Sequence, residues 1–299
     1  MAKSKKNTAG KVSPFVIILI AVVLLIVTKN NAEEPAATAT PVVGSDTVRV
    51  YFIDVGQGSS TLIQQGSDGI LVDAGEREAA QTVIDTIKTA GVKTLKYVIA
   101  THPHSDHIGG MTDVLNAVKA ENIILPRLSQ SNTPTTKTYE KFLTAISSNG
   151  VKAIAASFGK SYTVGNISID ILGPLVQDQN LNNMSVVCKV NAFRTSILLP
   201  GDAEKEEIAS MRNKGADFSC DIMLMAHHGS STSYDTRYLG AASPAMAIIS
   251  CGKDNDYGHP HKEIRNYLSK NKIETHRTDK EGTIIVDLTA SGYRLANAA

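Results

Sequence analysis

Tryptophan is absent from this chain, and aromatics make up only 5% of its 299 residues. A cage of rings for a quaternary ammonium group is therefore not to be expected. Cysteine is scarce too. Cys188, Cys220 and Cys251 are odd in number, lie in or beside apolar stretches and never take C-x-x-C spacing, which excludes a zinc ribbon. They read most simply as buried small hydrophobes, with one disulfide and a leftover thiol as the alternative. No cysteine precedes Cys188, so a lipoprotein anchor is excluded. Neither sign of charge dominates, with 30 Lys and Arg against 29 Asp and Glu. Removing the five lysines and two glutamates before residue 45 leaves 25 basic and 27 acidic side chains. That total carries no strong basic footprint of a nucleic-acid binder, and only a local patch stays open.

Long apolar runs are also missing, with one exception. Residues 12–28 are uncharged, Lys3, Lys5, Lys6 and Lys11 precede them, and Lys29 closes them. Such a segment just reaches the hydrocarbon thickness of a bilayer, and its charge bias puts the N-terminus in the cytoplasm. The expected organisation is a basic cytoplasmic tail (1–11), a transmembrane signal anchor (12–28), a flexible linker rich in Ala, Thr and Pro (29–45) and an extracytoplasmic domain (46–299). A cleavable signal peptide competes, because Ala37-Thr38-Ala39 resembles a cleavage site, and cleavage would make the domain secreted. The length of the apolar run, and the charges at Lys29, Glu33 and Glu34 between it and that site, favour the uncleaved anchor.

Periodicity predicts strands at 48–53, 61–63, 70–72, 97–100, 123–125, 167–172, 186–190, 196–199, 222–226, 247–250 and 283–288. Helices are predicted at 76–90, 111–119, 136–148, 203–213 and 262–269. Strand-rich halves, each followed by helices, suggest two sheets between helical layers.

One segment is dense in metal-ligating side chains. After the apolar Tyr97-Val98-Ile99-Ala100 comes Thr101-His102-Pro103-His104-Ser105-Asp106-His107-Ile108-Gly109-Gly110. An extended H-x-H puts both imidazoles on one side of the backbone, and the following turn brings Asp106 and His107 to a second position. One loop can thus feed two metals. Further candidates end later strands: Gly201-Asp202, His227-His228-Gly229-Ser230 and Tyr257-Gly258-His259-Pro260-His261. Taken singly, Asp202 would read as a helix N-cap, and the last turn as either a cap or a functional loop.

Together with Asp54-Val55-Gly56-Gln57-Gly58, Val72-Asp73-Ala74-Gly75 and Ser250-Cys251-Gly252-Lys253, these motifs resemble the metallo-β-lactamase superfamily. The nearer resemblance is to the hydrolase domain of ComEC-type DNA-internalisation competence proteins. It implies an α/β four-layer αββα sandwich with metals at the mouth between the sheets, here joined to one N-terminal transmembrane helix. His102 and His104 would hold one ion, Asp106 and His107 the other, and Asp202 would bridge them. One of His227 and His228 would complete the set, with the choice left open. Many superfamily members place a further histidine where this chain has Leu181-Asn182-Asn183-Met184-Ser185, and competence-type relatives carry asparagine there. Fewer imidazoles weaken the preference for zinc and admit manganese. His104 and Ser59 stand where competence proteins usually have aspartate, and His-Pro-His-Ser-Asp-His is closer to phosphorylcholine esterases of the superfamily. One apolar segment cannot form a channel, so a DNA-uptake channel would be a separate partner.

Two divalent ions sharing Asp202 would bring the pKa of a bridging water to about 7 and would bind phosphodiester oxygens. Charge growing on the phosphoryl and leaving oxygens calls for donors, for which Lys253, His259, His261 and, less so, Ser230 are candidates beside Asp106 and Asp202. Asp54 and Asp73 are expected to orient ligands, and Asn183 to lie near the substrate. The expected function is a membrane-tethered, extracytoplasmic, metal-dependent hydrolase, a phosphodiesterase or nuclease acting on DNA. The alternatives are hydrolysis of a cell-envelope or small phosphodiester, as in the phosphorylcholine esterases, and a non-catalytic binding module of the same fold.

Overall fold

The computed structural model describes residues 46–296. The expected tail, anchor and linker at 1–45 lie outside the described residues. Among those described, no helix is long and apolar enough to cross a membrane.

Two sheets face each other. The first has eight strands, in the order β15 (Gly292–Ala296), β14 (Ile284–Thr289), β1 (Val48–Phe52), β2 (Thr61–Gln65), β3 (Asp68–Val72), β4 (Thr94–Ile99), β5 (Lys119–Leu125) and β6 (Lys152–Ala155). The second has seven: β13 (Glu274–Arg277), β12 (Met246–Ile249), β11 (Ile222–Leu224), β10 (Thr195–Leu199), β9 (Cys188–Ala192), β8 (Ile167–Ile171) and β7 (Ser161–Val164). Alternation along β1 explains the layering. Val48, Val50 and Phe52 point into the core between the sheets, where they join Val190, Ile197, Ile222 and Ile248. Tyr51 and Ile53 point the other way, into a core shared with helices.

Helices α1 (Ala80–Thr89), α3 (Met111–Ala117) and α4 (Lys137–Ser148) link the parallel run β3 to β6, with the four-residue α2 (Ser105–Ile108) before α3. Helices α5 (Lys205–Asn213), α6 (Thr236–Ala242) and α7 (Lys262–Lys270) link the parallel run β10 to β13 on the other outer face. A last short helix, α8 (Thr278–Glu281), precedes β14. Helix α1 buries Ala80, Val83, Ile84 and Ile87, the i, i+3, i+4, i+7 stripe read from sequence. The result is a sandwich of two facing sheets with helices on both outer faces, the architecture that the resemblance implies.

Several expected boundaries move. The predicted helix 111–119 stops at Ala117, because Val118 is extended and Lys119 already pairs with Thr94 of β4. The predicted helix 203–213 begins at Lys205, after a turn that buries Ala203. The strand expected at 186–190 lies at 188–192, because Val186 donates its N–H to the carbonyl of Thr101 instead. Strands β6, β7, β13 and β15 and helix α6 were not expected. Strands β7, β13 and β15 are largely exposed or half-buried edge strands, so they carry little apolar alternation to read.

Candidate metal centre

Chemistry-bearing residues follow the C-terminal ends of the parallel strands: Asp73 after β3, His102 to His107 after β4, Asp202 after β10, His227 and His228 after β11, and the 250–261 loop after β12. Ligand sites in open α/β sheets form at this edge, because the crossing helices leave a crevice there. Here the edges of both sheets open together, which brings together residues that are distant in sequence.

Asp106, His107, Asp202 and His228 form one group, with a ligand atom from each within 4.8 Å of the others. His107 is buried, and its Nδ1 lies 2.7 Å from Asp73 Oδ2. The Asp73 carboxylate also accepts from the Thr101 N–H at 2.8 Å and the Thr101 hydroxyl at 2.7 Å. With its Nδ1 side turned to Asp73, His107 points Nε2 toward Asp202 Oδ1, 3.1 Å away, and Asp106 Oδ2, 3.8 Å away. That Nε2 is buried without a hydrogen-bond partner. His228 repeats the arrangement: Nδ1 lies 3.0 Å from the Ser250 carbonyl, and Nε2 faces Asp106 Oδ2 at 3.1 Å and Asp202 Oδ2 at 3.7 Å. Lone pairs converging on carboxylates in a buried site repel one another unless a cation or protons lie between them. The donor set therefore fits a divalent metal, with each imidazole oriented from behind.

His102 and His104 lie beside this group. His102 Nε2 is 3.0 Å from His104 Nδ1 and 3.8 Å from Asp202 Oδ2, and His102 Nδ1 lies near the hydroxyls of Thr101 and Ser185. Ser185 also accepts the Asp202 N–H at 3.0 Å. His227 differs from its neighbour. Its Nδ1 lies 3.0 Å from Thr232 Oγ1 and 3.3 Å from Glu204, its Nε2 is 3.6 Å from Asp202, and its side chain is 20% exposed. His227 and His228 both take positive φ, 51° and 55°, which is uncommon for side chains larger than glycine and typical of residues over-determined by their surroundings.

The electrostatics follow this crowding. Burial would raise the Asp202 carboxyl, but His107 and His228 outweigh it and hold that carboxyl well below the usual range. Burial likewise disfavours a charged His107, yet Asp202 and Asp73 hold its proton well above the ordinary histidine range. Burial, aided by His107, pushes His102 well down. His259 falls to about 4, through burial and then the neighbouring His228 and His227.

Other predicted residues take different places. Asp54 was expected to orient a ligand, but its carboxylate accepts the Gly56 N–H at 3.1 Å and so shapes a turn. Asn183 is buried and accepts the Glu204 N–H while donating to Asp178, which braces the turn after Asp202. His261 has both ring nitrogens engaged, Nδ1 accepting from the Ser231 N–H and Nε2 lying 3.1 Å from the Tyr257 carbonyl. Ser230 pairs with Thr232 within its own turn, and Lys253 is exposed. Sequence reading gave no role to Thr101, Ser185, Ser250 or Gln57, whose Nε2 lies 3.4 Å from His259 Nδ1. Small hydroxyl and amide residues carry no spacing signal of their own.

Residues 53–144 match the metallo-beta-lactamase superfamily, and the chain carries a metallo-β-lactamase domain. It is similar to the "ComE operon protein 3" of Bacillus subtilis, 30% identical over 256 residues, which cover 79% of this chain and 32% of that one. It is also similar to the "Competence protein ComA" of Neisseria gonorrhoeae, 27% identical over 256 residues, 84% of this chain and 34% of that one. The chain thus spans about a third of the length of these curated relatives. In fold it is similar to the metallo-beta-lactamase fold protein YhfI from Bacillus subtilis, with a TM-score of 0.50 at 14% identity, over 80% of this chain and 99% of that one.

Proposed function

We propose that this chain is a metal-dependent phosphodiesterase that cleaves DNA, held outside the cell membrane by residues 12–28. The observation that carries the reading is the buried His107 Nε2, unpartnered and aimed at Asp106 and Asp202. Asp106, His107 and His228 would hold one divalent ion, manganese or zinc, His102 and His104 the other, and Asp202 would serve both. Bound there, such ions supply Lewis acidity and hydroxide near neutral pH.

The chain's own residues orient and donate. Asp73 and the Ser250 carbonyl accept hydrogen bonds from the Nδ1–H groups of His107 and His228, which leaves each Nε2 to serve as a ligand. The Gln57 amide donates to His259 Nδ1 and places the imidazole proton on Nε2, ready to hydrogen-bond a phosphoryl oxygen. Because burial keeps His259 neutral, it acts as a fixed dipole and not as a cation. His261 is a positioning residue, since neither of its nitrogens is free. Relatives named for competence, and a competence-type motif order, favour DNA over smaller phosphodiesters, with a separate uptake channel as the partner that would deliver it.

The test is incubation of the full chain with linear and supercoiled DNA, manganese and zinc being supplied in turn, beside Asp202→Ala. Cleavage that disappears in the variant is expected. Metal-loaded chain that leaves DNA intact but hydrolyses a cell-envelope phosphodiester would overturn the DNA reading, and inertness on every phosphodiester would leave a binding module.

A further inference from the structure

Among the described residues, the large apolar side chains left exposed are Phe193, Tyr257 and Leu295, and Tyr257 is the most exposed at 66%. Phe193 and Leu295 belong to the far turn between β9 and β10 and to an edge strand. Tyr257 stands at the metal centre. Its ring lies nearly parallel to that of His259, with an interplanar angle of 16° and centroids 5.5 Å apart. His259 in turn lies 5.6 Å from the His227 ring and 6.0 Å from the His228 ring. The phenol is thus two ring contacts from a metal-facing imidazole, one face supported and the rest in solvent.

The turn that carries it is rigid. Asn255 donates to the carbonyls of Gly252 and His259 and accepts the His259 N–H. His261 hydrogen-bonds the Tyr257 carbonyl and is itself tied to Ser231. An exposed aromatic ring costs free energy in water, and holding it on an ordered turn adds a loss of freedom that a flexible loop would avoid. Such a pre-placed ring suits a flat apolar ligand, because the ordering cost is already met before binding.

We infer that Tyr257 is a stacking platform for a nucleobase beside the scissile phosphate, and that the substrate strand is therefore single. The inference rests on the phosphodiesterase reading and names the form of DNA it acts on. Bases in a duplex have both faces occupied by neighbours, whereas an unpaired base can stack on an aromatic side chain without regard to its identity. Charge is a weaker handle on this turn, since Asp254 and Asp256 follow Lys253 within three residues and all three are exposed. Stacking would thus supply grip that a near-neutral domain does not obtain from phosphate contacts alone.

The test uses the full chain with manganese and a single-stranded phosphorothioate oligonucleotide bearing 2-aminopurine, whose fluorescence falls on stacking. Wild type is expected to quench it saturably, Tyr257→Ala to bind about tenfold or more weakly, and Tyr257→Phe to restore binding. A matching duplex should bind more weakly than the single strand. Equal affinity of wild type and Tyr257→Ala, equal affinity for the duplex, or no quenching by wild type would each overturn the inference. Because Tyr257 is exposed, its substitution leaves the core intact, which circular dichroism checks. Cleavage is read separately: quenching that depends on Tyr257 in a chain that cuts no DNA would overturn the nuclease reading and leave the platform standing.

Discussion

His107 is gripped from two sides: Asp73 behind it fixes the ring, and Asp202 in front shares its ligand position. Replacing Asp73 by Asn should therefore weaken metal binding by about 10- to 100-fold without unfolding the chain. Asn tolerates the left-handed φ of 59° found at Asp73, so no backbone strain is added. Competition with a chelator, beside a thermal melt, checks both halves of that expectation. His227 and His228 give a sharper contrast. Loss of the His228 imidazole should remove a ligand and lower the bound metal, whereas His227→Ala should keep the metal content of wild type, because the Thr232 and Glu204 contacts already occupy its Nδ1 side. Metal analysis of the two variants separates them, and equal losses would contradict the geometry. At this scale the donor side chains from His102 to His107 were legible as a cluster because their spacing is local. Asp202 and the histidine pair were legible as strand-end candidates, but their joining to the His102 to His107 loop came through family resemblance, since nothing in their own segments says which strand ends meet. Asp54 accepts the Gly56 N–H, and an aspartate beside a glycine turn looks the same in sequence whether it serves a ligand or the turn.

Individual elements hold the site loops through a few buried polar contacts. Glu207 on α5 is fully buried and accepts the N–H groups of Leu175 and Val176, at 2.8 and 2.9 Å. Burial pushes its carboxyl from 4.5 up to about 7. Between those values the folded chain keeps a proton that the unfolded chain releases, so the contribution of Glu207 to stability is full below the lower value and falls as pH rises toward the upper. The loss should approach about 3 kcal/mol. Denaturant titrations at about pH 5 and about pH 8 should show wild type losing ground to Glu207→Gln at the higher pH, and a difference independent of pH would contradict the assignment. Gly229 supports the turn after His228 differently. It has a φ of +82°, and a Cβ there would stand 2.6 Å from Pro260 Cβ. Gly229→Ala should destabilise the chain by about 2 kcal/mol or more and lower its metal content with it. Elements with a buried apolar stripe, such as α1 and β1, were readable from period alone. Strand β5 was half hidden: its first four residues are exposed or half-buried and are fixed by pairing with β4, not by a pattern of their own.

Across the whole molecule, the design is two parallel runs of strands whose C-terminal ends share one mouth, with β1 to β6 supplying Asp73 and the His102 to His107 loop, and β10 to β13 supplying Asp202 and the histidine pair. Neither half holds a complete donor set, so metal should bind the folded chain and not the unfolded one, and stabilise it accordingly. Removing metal with a chelator should lower the melting temperature of wild type and have little effect on Asp202→Ala. The metal centre carries the functional reading, and counting the ions bound per chain tests it most directly. Purified chain equilibrated with manganese or zinc, freed of excess ion and measured by elemental mass spectrometry, should hold about two ions per chain, and His228→Ala should hold fewer. A wild-type chain that is folded and retains neither metal would contradict the reading of the site.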